Sequence, residues 1–120
     1  MTDLTSEDGE KIYESQFSES AERLEAYADL VAIVKQLRRD CPWDREQTHE
    51  SVTHLLIEEA YEVVEAIDAE DWDDLPEELG DVLLHVLFHA RIAEEEGRFT
   101  LADVIEAETD KLVRRHPHVF

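Results

Sequence analysis

The sequence predicts an all-α fold, with four helices joined by short connections in a bundle-like arrangement. Apolar residues recur at spacings of three and four along most of the chain. Residues that start and stop helices sit at the edges of those periodic stretches. No stretch alternates with the period of two that a half-buried strand requires. At 120 residues the chain suits one domain with a modest core.

Residues 1–19 are polar and acidic with few apolar anchors, and are expected to form a flexible tail ahead of a helical domain over residues 20–120. Over Ala21–Arg39, Leu24, Tyr27, Ala28, Val31, Val34 and Leu37 mark one helical face. Asp40-Cys41-Pro42-Trp43-Asp44 breaks that helix, because the residue before a proline disfavours right-handed helical geometry. A lead-in from Thr48 to His54 precedes a second helix over Leu55–Ala69. The acidic turn Asp71-Trp72-Asp73-Asp74 supplies Asp74 as the cap of a third helix, with Pro76 in its first turn. That helix should run to Glu96, with Gly97 as the residue just beyond its end. Thr100 and Asp103 form a capping-box pattern, with Asp in place of Glu, for a fourth helix over Leu101–Arg115 that His116-Pro117 ends.

Charge narrows the possible partners. The formal net charge is −21, from 11 basic against 32 acidic residues. Such a surface repels nucleic acid and anionic membrane, so neither is an expected partner. A free polyphosphate would be repelled too, unless divalent cations neutralise the site. Cys41 is the sole cysteine, which rules out an internal disulfide and makes a reducing compartment the default. The segment from Met1 to Phe17 does not resemble a signal peptide, and no run approaches the roughly 20 apolar residues of a membrane span. A soluble cytoplasmic protein is expected.

Two acidic clusters carry the chemistry. Glu58, Glu59 and Glu62 lie within two turns of the second helix, and Glu78 and Asp81 lie one turn apart on the third. On a helical wheel Glu58, Glu62 and Glu65 group together with Glu59 flanking them. Leu56, Ala60, Val63, Val64 and Ile67 fall opposite. An ordinary amphipathic helix with a solvated acidic face looks the same. The third helix is less ordinary, because its only polar stripe among Leu, Val and Phe is Glu78, Asp81, His85 and His89. Buried carboxylates need a cation or a donor, and four or five such oxygens make the hard cage that Mg²⁺ accepts. Together the clusters favour a shared divalent-metal site over two solvated faces. Gly80 costs that helix roughly 1 kcal/mol relative to Ala, which is tolerable if a neighbouring helix or a ligand approaches there.

Other residues are more ambiguous. His85 and His89, at i,i+4, suit Zn²⁺ or, more ordinarily, hydrogen-bonded positions in a core or interface. His49 and His54 carry no pattern. A ferritin-like di-iron centre would need Glu-x-x-His on two helices, and the one match, Glu46 to His49, falls in a loop. Trp43 is either a core plug or a platform for a nucleobase. Lys111, Arg114 and Arg115 concentrate positive charge at the end of the fourth helix, where the helix dipole alone would favour it.

In order along the chain, Cys41-Pro42-Trp43-Asp44 with Gln47-Thr48, Glu58-Glu59-x-x-Glu62, Glu78-x-x-Asp81 and Arg114-Arg115-His116-Pro117-His118-Val119-Phe120 resemble the MazG family. The resemblance covers residues 24–120, and Glu62 and Glu78 are separated by 15 residues, within the family's spacing. It implies an all-α nucleoside triphosphate pyrophosphohydrolase that cleaves NTP to NMP and pyrophosphate with Mg²⁺, for which Mn²⁺ can substitute. It also implies assembly as a homodimer or homotetramer. The matching carboxylates are Glu58, Glu59, Glu62, Glu78 and Asp81. Glu59, Glu62, Glu78 and Asp81 are the expected metal ligands, and Glu58, Glu59 and Glu62 the expected catalytic group, with Glu58 ligating or orienting the attacking water. Trp43, Lys111, Arg114 and Arg115 are the expected substrate contacts. Many members carry two such domains, whereas this chain holds one and stops at Phe120, where relatives usually continue. A role in cleaning the nucleotide pool fits the resemblance. The alternatives are a pyrophosphatase restricted to one (d)NTP and a non-catalytic acidic interaction module.

Overall fold

The structure, a computed structural model, describes residues 21–120, and the tail expected over residues 1–19 lies outside them. Five α-helices make up the described chain: α1 (Ala21–Asp40), α2 (Pro42–Glu46), α3 (Thr53–Asp68), α4 (Leu75–Glu95) and α5 (Leu101–Arg115). A single 3₁₀ turn, Glu50–Val52, leads into α3. No strand occurs among the described residues.

The expected break after the first helix proves to be narrower than a loop. Only Cys41 leaves the helical region, with φ −92° and ψ 119°, as a residue preceding proline should. Pro42 then occupies the first turn of α2, where its missing N–H costs no hydrogen bond. Asp74 does precede α4, but in a helical conformation and without a capping bond from its side chain. Asp71 instead accepts a hydrogen bond from the Asp74 N–H at 3.2 Å. At the other end, Gly97 takes φ +69°, the left-handed conformation that ends a helix cheaply only at glycine. The Thr100 and Asp103 box is complete: Asp103 N donates to Thr100 Oγ1 at 3.2 Å, and Thr100 N donates to Asp103 Oδ2 at 2.9 Å. It opens α5 with the predicted bounds.

α4 is the spine, packing on α1, α3 and α5. Its buried face, Leu87, Phe88 and Ile92, joins Val34 of α1 and Val52, with Leu30, Val31, Leu55 and Leu101 packed around them. The apolar pattern read for α3 does not form one buried face. Ala66 is buried and Leu55, Leu56, Glu59 and Val63 are half-buried, whereas Ile57, Ala60, Tyr61, Val64 and Ile67 are exposed. One protomer therefore leaves an apolar stripe of α3 in water. A Cβ at Gly80 would meet nothing within 4 Å, so no helix of the same protomer requires glycine there.

Thr100→Ala should lower the free energy of urea unfolding by about 1 kcal/mol, and Thr100→Ser should retain most of it. An unchanged urea midpoint in the alanine variant would mean that the box contributes nothing to α5.

Candidate metal centre

Glu59 and Glu62 of α3 and Glu78 and Asp81 of α4 each offer one carboxylate oxygen, and these four oxygens all lie within 4.8 Å of one another. The arrangement follows from helix periodicity on both partners. Spacing of three residues puts each pair on one face of its helix, and the packing of α3 on α4 turns the two faces together. Glu59 takes the inner position rather than a flank: it follows the half-buried line Leu55, Glu59, Val63 along α3. Glu78 and Asp81 are also half-buried, and Glu62 is exposed.

The donor set fits a hard divalent cation. Glu59 Oε2 and Glu78 Oε2 are shielded from water and have no hydrogen-bond partner. An ionised oxygen so placed requires either a cation or a proton. Without a cation the protons are held to higher pH than in an ordinary carboxyl. Burial chiefly raises the Glu59 pKa to about 6, with the charges of Asp81 and Glu62 adding to it. Glu78 rises to about 7, first because the proton it keeps is hydrogen-bonded with Glu62, then through burial and the charges of Glu62 and Asp74. Four oxygens from two helices, with no nitrogen or sulfur, suit Mg²⁺ or Mn²⁺. Among the described residues, no other group of three or more His, Cys, Asp or Glu side chains converges in this way.

A cavity of about 210 Å³ opens beside the cluster and shares Glu59 with it. Its wall is largely apolar: Val34 and Leu37 of α1, Val52, Leu55, and Leu84 and Phe88 of α4. Trp43 and Asp44 of α2 and His85 of α4 complete it. Trp43 is 57% exposed, so it stands at a rim and is not a core plug.

The other expected site residues are not all gathered here. Glu58 is exposed and outside the four-carboxylate group. Lys111 pairs with Glu108 on its own helix at 3.0 Å. Arg114 and Arg115 are exposed at the end of α5, which packs mainly on α4. His89 is hydrogen-bonded: its Nδ1 lies 2.7 Å from His49 Nδ1, with the rings stacked 5.0 Å apart. His49 therefore has a partner that its sequence context concealed, forty residues away. Burial lowers the pKa of both His85 and His89, which favours their neutral forms. Sequence reasoning also passed over Arg38, whose contacts could not be read locally.

A family model described as the MazG nucleotide pyrophosphohydrolase domain matches residues 47–120. The chain is 57% identical over 96 residues to the nucleoside triphosphate pyrophosphohydrolase/pyrophosphatase MazG of Thermotoga maritima, a match covering 78% of this chain and 38% of that protein. A nucleoside triphosphate pyrophosphohydrolase of Escherichia coli K12 is 52% identical over 94 residues, or 76% of this chain and 36% of that protein. The uncharacterized protein YabN of Bacillus subtilis is 55% identical over 96 residues, 78% of this chain and 20% of its own length. The chain thus spans 20 to 38% of these three relatives. The crystal structure of a MazG-related protein from Thermotoga maritima matches the fold with a TM-score of 0.70 at 31% identity, covering 78% of this chain and 82% of that one.

The raised carboxylates fix how stability depends on pH. Between about pH 4.5 and about pH 7 the metal-free folded protein holds protons that the unfolded chain has already released, so stability should fall as pH rises through that window. Added Mg²⁺ should therefore raise the thermal midpoint more at about pH 8 than at about pH 5. A shift of equal size at both values would disconnect the cation from these carboxylates.

Proposed function

The chain belongs to the MazG nucleotide pyrophosphohydrolase family, and we propose that it hydrolyses nucleoside triphosphates to nucleoside monophosphate and pyrophosphate at the four-carboxylate centre. The single observation that carries this reading is the convergence of Glu59, Glu62, Glu78 and Asp81 within 4.8 Å. In a protein of net charge −21 a polyphosphate needs a local patch of the opposite sign. Mg²⁺, or Mn²⁺ in its place, would neutralise the polyphosphate and make the attacking water more acidic.

In this reading Glu59, Glu62, Glu78 and Asp81 would hold the cation against which the polyphosphate is placed. Glu58 lies one turn before Glu62 and is the group that orients the attacking water or accepts its proton. The nucleobase lies in the apolar cavity against Glu59, where Trp43 offers a stacking face. Selection for one (d)NTP would arise in that cavity rather than at the carboxylates.

The exposed stripe of Ile57, Tyr61 and Val64 on α3, with Leu79 and Leu83 on α4, supports assembly as a homodimer or homotetramer. Lys111, Arg114 and Arg115 would steady the leaving pyrophosphate in that assembled state. Among the described residues no helix is long and apolar enough to cross a membrane. The lone half-buried Cys41 agrees with a cytoplasmic role in cleaning the nucleotide pool.

Pyrophosphate release from a panel of NTPs and dNTPs with Mg²⁺ is the direct assay. Glu62→Ala and Asp81→Ala should each lower kcat by at least about 100-fold. Turnover of only one nucleotide would narrow the substrate. No release from any of them would point instead to an interaction module.

A further inference from the structure

Arg38, in the last turn of α1, makes more polar contacts than any other described side chain. Its Nη1 donates to the carbonyls of Asp44 at 2.6 Å, Arg45 at 3.1 Å and Gln47 at 2.9 Å. Its Nε and Nη2 donate to the two oxygens of Glu95 at 3.1 and 2.9 Å. The guanidinium carbon lies 5.5 Å from the centroid of the Phe88 ring, and only 10% of the side chain is exposed. The Asp44 and Arg45 carbonyls lie in the last turn of α2 and the Gln47 carbonyl at its C-cap, so Arg38 gathers the carbonyls around the end of that helix.

A helix of five residues has too few internal bonds to hold itself in place. It also packs on α1, and is tied by Arg45 Nη1 donating to the Arg39 carbonyl at 3.4 Å, Gln47 Nε2 to the Trp43 carbonyl at 2.9 Å and Ser51 Oγ to Gln47 Oε1 at 2.8 Å. Arg38 is the side chain that joins the last turn of α4, through Glu95, to the carbonyls of the short segment that carries Trp43 and Asp44. Those two residues form one wall of the cavity that shares Glu59 with the carboxylate centre.

We propose that Arg38 is a positioning residue for nucleotide binding, its planar guanidinium holding the Trp43–Gln47 segment as the wall of the cavity beside Glu59. The inference rests on the reading that this cavity receives the base. The flat fork sets the two N–H groups of Nη1 among the three carbonyls while Nε and Nη2 hold the two oxygens of Glu95. A lysine ammonium, with three donors at one point, cannot do so. Because the wall touches the base and not the reacting phosphorus, its loss should weaken ground-state and transition-state binding alike.

Arg38→Lys should then raise KM for the preferred NTP by about tenfold while kcat stays within about twofold, and the Mg²⁺-induced rise in thermal midpoint should persist. Glu95→Gln, which leaves the carbonyl contacts in place, should raise KM in the same direction but less. In a Trp72→Phe background, acrylamide should quench Trp43 more strongly in Arg38→Lys than in the parent. An unchanged KM in either variant, or a fall in kcat accompanied by loss of the Mg²⁺ shift, would overturn the proposal. If the parent protein hydrolyses no nucleotide, the activity reading fails by itself. The quenching comparison then decides the positioning role: unchanged quenching overturns it, and increased quenching supports it.

Discussion

Glu59, Glu62, Glu78 and Asp81 meet where α3 packs on α4, and negative groups at that spacing are unfavourable unless something positive lies among them. The helices do not separate to relieve this, because Phe88, Leu87 and Ile92 tie α4 into the core while Val52 and Leu55 tie in the start of α3. Apolar burial thus fixes the carboxylates where electrostatics alone would disperse them. Two outcomes can settle the conflict. Protons can be retained above the ordinary carboxylate range, as at Glu59 and Glu78, or a hard divalent cation can replace them.

The rest of the molecule is arranged around that fixed point. α4 presents its first turns to the centre, its middle to the apolar cavity and its last turn to Arg38 through Glu95. Hydrogen bonding to Arg38 holds the Glu95 carboxyl below the ordinary range, with the Arg38 and Arg91 charges adding to it. Arg38 is paired with Glu95, not with the four-carboxylate cluster. The cavity is lined both by Glu59 of the carboxylate centre and by Trp43 of α2. The exposed apolar stripe of α3 faces away from Glu59, so a second copy could cover it without filling the cavity.

Much of this was legible locally. The α5 box, the end of α4 at Gly97 and the three-residue spacing of each acidic pair depend on neighbours within one or two turns. The missing readings are of two kinds: local signals that admit two outcomes, and partners distant in the chain. α2 was hidden because proline stops one helix and can begin the next. Asp74 has the right residue type for a cap, but Asp71 answers its N–H instead. His49 lacks any periodic context, and only packing sets it on His89. Arg38 sits between Leu37 and Arg39 as an unremarkable cation, and its partners range from 6 to 57 residues away.

The sequence by itself determined an all-α chain, the bounds of its longest helices to within a residue or two, and the three-residue spacing of Glu78 and Asp81 on one face of α4. Periodicity and capping are short-range, so one dimension suffices for them. Tertiary structure alone decided that Glu59 turns inward while Val64 and Ile67 remain outside. It also decided that the two acidic faces meet within one protomer and that Arg38 clasps the segment bearing Trp43. Each of those outcomes depends on how one helix is rotated against another. That rotation is set by the summed packing of α1, α3 and α4, which no local pattern contains.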